Sequence, residues 1–198
     1  MGLIPVANDQ LATVVTSLEV RTRPPLRPMP PSPFRLVHWK APASEKYRAL
    51  FRRVGGPWLW FSRLVMEEAA LRRILDDARV EVYAATDPAG IEIGMLELDF
   101  RTEATCELSY LGLVPELTGK GNGNWLMAQA LNLAWRKGVE RVWVHTCTLD
   151  HPAALGFYRR HGFIPYKRTI ETFADPRAAG ILPPDAAPHI PLLASPAR

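Results

Sequence analysis

Apolar residues recur along this chain at two spacings, and the switches between them mark out most of the elements. Thr13–Val20 is β-branched and apolar enough for a strand, which would tie that end to a sheet or to a second subunit. Ala43–Val54 opens on Ser44 and Glu45 and stops at Gly55-Gly56-Pro57, the punctuation of a helix. Ala70, Leu71, Ile74 and Leu75 fall on one face of a second helix over Glu67–Asp77. Val80–Ala85, Ile91–Phe100 and Thr105–Val114 then read as antiparallel strands, turned by Asp87-Pro88-Ala89-Gly90 and by Arg101–Ala104. A helix over Gly123–Lys137 ends at Gly138, a strand covers Arg141–Thr146, a helix covers His151–Arg160, and Phe163–Thr172 closes the series as a strand. The class is α+β.

Proline divides the chain. Seven of the nineteen prolines fall in residues 1–34 and six in 174–198, leaving six for the whole middle. The expected organisation is an N-terminal strand with an extended Pro-rich segment over 1–34, one domain over 35–173, and a Pro-rich tail over 174–198. Arg21–Pro33 cannot hold a helix or a central strand. The tail carries Ile181, Leu182, Ile190, Leu192 and Leu193, which favours docking over disorder.

Charge is uneven. Residues 1–53 hold nine Lys/Arg against three acids, a basic end able to meet an anionic cofactor. Residues 79–113 hold seven acids against Arg79 and Arg101, which suits a cationic substrate. A nucleic-acid role resting on the basic end alone is disfavoured. No apolar run is long enough to span a membrane, and Met1–Gln10 lacks the pattern of a secretory signal. Two cysteines, Cys106 and Cys147, predict a reducing cytoplasm and no metal site.

The candidate chemistry lies after the third of the antiparallel strands, where Gly119, Gly121 and Gly123 lead into a helix. Backbone N–H groups at a helix start, with glycines that let a ligand approach, make an anion site. Neither the P-loop spacing nor GxGxxG is present. Thr118-Gly119-Lys120-Gly121-Asn122-Gly123 instead resembles the Gln/Arg-x-x-Gly-x-Gly/Ala signature of the GNAT acyltransferases, with Thr118 in the place of Gln or Arg. His151-Pro152-Ala153-Ala154, followed by Tyr158 and Gly162-Phe163, is similar to the family's next motif, with His151 in the place of Asn. The resemblance covers about residues 79–170 well, the first helices loosely and the Pro-rich ends not at all.

The resemblance implies a mostly antiparallel, twisted sheet of six to seven strands flanked by helices. It implies acetyl-CoA as cosubstrate, with Thr118, Gly119, Lys120, Gly121, Asn122, Gly123, Asn124 and His151 around it. Backbone near Leu113 and Val114 would polarise the thioester carbonyl. It implies Glu107 as the base that frees the attacking amine and Tyr158 as the acid that protonates the leaving thiolate. Glu97 and Asp99, alternating on one face of the neighbouring strand, are the other candidates for base or amine contact. Cys147 as nucleophile and His145 or His151 as base are weaker alternatives. Trp58, Trp60 and Phe61, in the region that shapes the acceptor pocket of this family, would form an aromatic wall suited to an ammonium group. The implied activity is acetyl transfer to a small amine. A peptide or protein amine, or a non-catalytic acyl-CoA sensor, stand as alternatives, and a homodimer is left open.

Overall fold

The computed structural model describes residues 2–25 and 28–193. Leu26, Arg27 and residues 194–198, parts of the two expected Pro-rich segments, lie outside the described residues. Among the described residues, seven strands form one sheet: β1 (Gln10–Val20), β2 (Arg35–Trp39), β3 (Val80–Thr86), β4 (Glu92–Asp99), β5 (Thr105–Leu113), β6 (Arg141–Cys147) and β7 (Ile164–Ala174). Five α-helices accompany them there: α1 (Ser44–Gly55), α2 (Ser62–Val65), α3 (Glu68–Leu75), α4 (Asn122–Ala134) and α5 (Ala154–Arg160). The expected mixed α+β architecture is borne out. β2 and the single turn of α2 are additions.

The order across the sheet is β2-β3-β4-β5-β6-β1-β7, antiparallel except between β5 and β6. β1 lies inside its own sheet, hydrogen-bonded to β6 on one side and to β7 on the other. The N-terminal segment is therefore part of the same sheet as the middle of the chain. The single parallel contact needs a crossover, and α4 supplies it.

That contact is short: Thr105, Cys106 and Glu107 pair with Arg141, Val142 and Trp143, and the two strands then part. On its other edge β5 carries a bulge, since Glu97 pairs with Tyr110 and Leu98 with Leu108, leaving Ser109 over. A bulge bends and twists its strand. Here it bends β5 away from β6 where the cleft begins.

Helix α1 covers one face with Tyr47, Leu50, Phe51 and Val54 buried, and α4 covers the other with Trp125, Leu126, Met127 and Ala130. The tail docks. Leu182 and Ala187 are buried with Leu59 and Leu149 in a second apolar cluster. Arg177 is buried beneath it, forked onto Asp175 through Nε at 3.0 Å and Nη2 at 2.7 Å. Its Nη1 donates to the carbonyls of Ala186 and Ile190 at 3.1 and 2.8 Å, which pins the loop that follows.

Candidate active site

The parting of β5 and β6 opens a cavity of about 610 Å³. Residues from Leu108 to Leu113 form one side and Val144 to Cys147 the other, with the glycine loop at one end. Thr118, Gly119, Gly121, Gly123 and Asn124 line it, whereas Lys120 and Asn122 do not. Gly121 has φ +81° and caps α4, a conformation that favours glycine. The loop is braced from within. Thr118 Oγ1 donates to the Pro115 carbonyl at 2.7 Å, and Asn122 Nδ2 to the Leu117 carbonyl at 3.1 Å. The Thr118 hydroxyl hydrogen is thus committed to the loop.

The backbone N–H groups sort by direction. Val114 N–H donates to the Ile93 carbonyl on the β4 side at 2.9 Å, so it is not free for a ligand, contrary to the expectation above. Successive N–H groups in a strand point to opposite edges. The N–H of Leu113, which lines the cavity, therefore points toward the cleft.

Tyr158 lines the cavity from α5 and is buried. Burial, with Asp150 nearby, holds its hydroxyl well above the usual tyrosine range, so it stays protonated. Among the described residues no group hydrogen-bonds to that hydroxyl. His151 lines the same cavity, but its Nδ1 accepts the Ala153 N–H at 3.0 Å, which shapes the entry to α5. Trp58 meets the His151 ring edge-on at 5.0 Å between centroids.

Trp60 is a strut as well as a wall. Its indole N–H donates to Asp150 Oδ1 at 2.9 Å, and its ring packs against Phe51 and Tyr110. A Cβ on Gly112 would lie 2.8 Å from Val54 and 3.3 Å from the Trp60 ring, so only glycine lets the ring approach β5 this closely. Asp150 also accepts Thr146 Oγ1 at 2.7 Å and the Cys147 N–H at 2.9 Å.

The predicted carboxylates have different surroundings. Glu97 is fully buried, bonded to Tyr47 Oη and to Arg63 Nη2 at 2.6 Å. It does not line the cavity, and its charge is spent on Arg63, so it is a structural group and not an amine contact. Asp99 lies opposite Glu107 across the ladder, as sharing a face requires, but it is forked onto Arg101 and also lies outside the cavity. Glu107 is partly exposed and does not itself line the cavity; its Oε1 lies 3.6 Å from Nδ1 of His145, which does. That carboxylate raises the pKa of His145 above the ordinary histidine value, against the opposing effect of burial. Cys147 lines the cavity, but burial pushes its thiol up, away from the nucleophilic thiolate.

The sequence places Phe61 beside Trp58 and Trp60, and it does line the cavity; lining residues that the sequence does not point to include Thr13 on β1 and Glu171 and Phe173 on β7. Thr13 and Glu171 are register partners, and the Phe61 ring packs tilted against Phe173 at 4.9 Å between centroids. Only the pairing of β1 with β7 brings Thr13, Glu171 and Phe173 together at the cleft.

Among the described residues no helix is long and apolar enough to cross a membrane, and no group of three His, Cys, Asp or Glu is placed to hold a metal. A glycine-rich helix entry at a parted strand pair in a mostly antiparallel sheet defines the class of fold. The profile described as "Acetyltransferase (GNAT) family" matches residues 48–163, more than half of the chain. The chain belongs to the GNAT acetyltransferase family, which typically uses acetyl-CoA. Solved structures agree on the fold. A GCN5-related N-acetyltransferase from Sphaerobacter thermophilus aligns at a TM-score of 0.57 and 17% identity, over 82% of this chain and 51% of that one. A functionally unknown conserved protein from Staphylococcus epidermidis aligns at 0.53 and 12%, over 84% and 63%. An aminoglycoside acetyltransferase, meta-AAC0020, from an uncultured soil metagenomic sample aligns at 0.53 and 18%, over 66% and 88%. The chain thus spans about half to two thirds of the length of the first two. No curated protein sequence matches it.

Proposed function

We propose that this chain transfers an acetyl group from acetyl-CoA to the primary amine of a small cationic acceptor, by direct attack. One observation carries the reading: a single cavity joins the glycine loop, Tyr158, the Leu113 N–H and the His145 ring. The residues present fit the cosubstrate, because the loop offers the open backbone of Gly119 and Gly121 and the first N–H groups of α4. Acetyl-CoA supplies the thioester. The loop from Thr118 to Asn124 would hold its pyrophosphate, and the Leu113 N–H would polarise the thioester carbonyl.

An alkyl ammonium, with a pKa of about 10.4, must lose a proton before it attacks. His145 and Glu107 supply the base, with Glu107 holding the ring and favouring its charged form once the proton has moved. Tyr158 supplies the proton for the departing thiolate, which its protonated state allows. Phe61 and Phe173 give the acceptor an apolar wall, and Glu171 gives it a negative charge at the mouth.

The test is a panel of mono- and diamines, amino acids and lysine peptides incubated with acetyl-CoA. Thiol release would be followed, and the acetylated amine identified by mass. The reading expects turnover with small cationic amines. Turnover only with peptides would move the acceptor to the protein class, and thiol release without acetylated amine would remove the transferase reading.

A further inference from the structure

A second cavity, of about 860 Å³, lies beyond the glycine loop. Its outer wall is the extended segment after β1, with Arg23, Pro24 and Pro30, and its floor is the flank of α4, with Asn132 and Trp135. Asn124 and Arg160 line both cavities, so the second begins where the first ends. Among the described residues no acid lines it, whereas Arg21, Arg23, Arg160 and His161 do. Arg21 is neutralised by Glu19, which its Nε meets at 2.8 Å. Arg23 and Arg160 have no acidic partner among the described residues. A groove that combines proline and indole surfaces with two unpaired guanidinium groups suits a flat base joined to a phosphate.

Resting on the function proposed above, we infer that this N-terminal Pro/Arg segment clamps the adenosine 3′-phosphate end of coenzyme A against α4, with Arg23 and Arg160 as its phosphate contacts. Because Asn124 and Arg160 line both cavities, a ligand with its pyrophosphate on the loop can extend past them into the groove. The segment carrying Arg23 lies outside the residues that match the family profile, whereas Arg160 and α4 lie within them. It also gives the basic N-terminal end a use.

The test is calorimetric titration of the full chain with coenzyme A, 3′-dephospho-coenzyme A and adenosine 3′,5′-bisphosphate. Coenzyme A should bind about ten- to a hundredfold more tightly than its dephospho form, and the bisphosphate alone should bind weakly. Arg23→Gln and Arg160→Gln should each weaken coenzyme A about tenfold, leave the dephospho form within twofold, and flatten the salt dependence. Circular dichroism on each variant separates loss of the contact from loss of the fold. Equal binding of the two coenzymes, or an Arg23→Gln protein that keeps the full difference, would overturn the clamp while leaving the transferase reading intact. No binding of either coenzyme would remove the transferase reading and the clamp with it.

Discussion

Trp60 and Asp150, ninety residues apart, are joined by an indole N–H to carboxylate hydrogen bond of 2.9 Å across the mouth of the cleft. The bond links the turn after α1 to the turn before α5, and it holds the Trp60 ring over Gly112 on the parted strand. Trp60→Phe keeps most of the ring and removes the donor. It should cost about 1–2 kcal/mol of stability and raise the acceptor KM more than it lowers kcat. Urea denaturation and steady-state kinetics check the two halves. An unchanged KM would make the bond a purely structural tie.

The His145–Glu107 pair sets the pH dependence. The ring acts as a base only when neutral, so kcat/KM should rise with pH through the His145 pKa. That pKa lies above the ordinary value of 6.5 because Glu107 faces the ring, with Asp150 and Glu171 adding to the effect. Glu107→Gln removes the largest cause, so the acid limb of the profile should move to lower pH while the plateau falls. His145→Ala should lower kcat by about a hundredfold or more and abolish that limb. A Glu107→Gln enzyme with an unshifted limb and wild-type kcat would contradict the pairing.

Tyr158→Phe removes one hydroxyl from the cavity wall and leaves the ring packed on Phe157 and Phe163. Turnover should fall by roughly a hundredfold, with acetyl-CoA affinity close to unchanged. Lost affinity at unchanged kcat would reassign Tyr158 to packing.

Arg177 is the anchor of the docked tail. Arg177→Ala leaves Asp175 buried without its partner and frees two carbonyls. Loss of one member of a buried pair costs about 3–5 kcal/mol, a fall in Tm on the order of 10 °C for a chain of this size. Differential scanning calorimetry measures it. A fall of only a degree or two would mean that the tail contributes little to the fold.

Local chemistry was legible in the sequence and distant pairing was not. The glycine loop, the strand before it and the helix after it lie within a short stretch, and periodicity with turn residues suffices to place them. β2 escaped because Arg35–Trp39 is short, mostly exposed at the sheet edge, and follows a run of prolines. Glu97 read as a reactive acid because an acid among Leu96, Leu98 and Phe100 resembles a half-exposed strand. Its partner, Arg63, is thirty-four residues away, and only the packed fold shows that the pair is buried. Glu171 and Phe173 reach the cleft because β1 inserts between β6 and β7, a topology that no local pattern encodes. Gly112, by contrast, left a trace: a glycine inside a strand marks close approach by another group, here Trp60.

The most direct measurement is calorimetric titration of the full chain with acetyl-CoA, repeated on Gly121→Val. Gly121 holds φ +81° at the cap of α4, where a β-branched residue is strained, so the substitution should distort the loop while leaving the sheet folded. The native chain should bind with micromolar affinity, and the variant at least tenfold more weakly. No binding to the native chain, or equal binding to both, would contradict the proposed loop site.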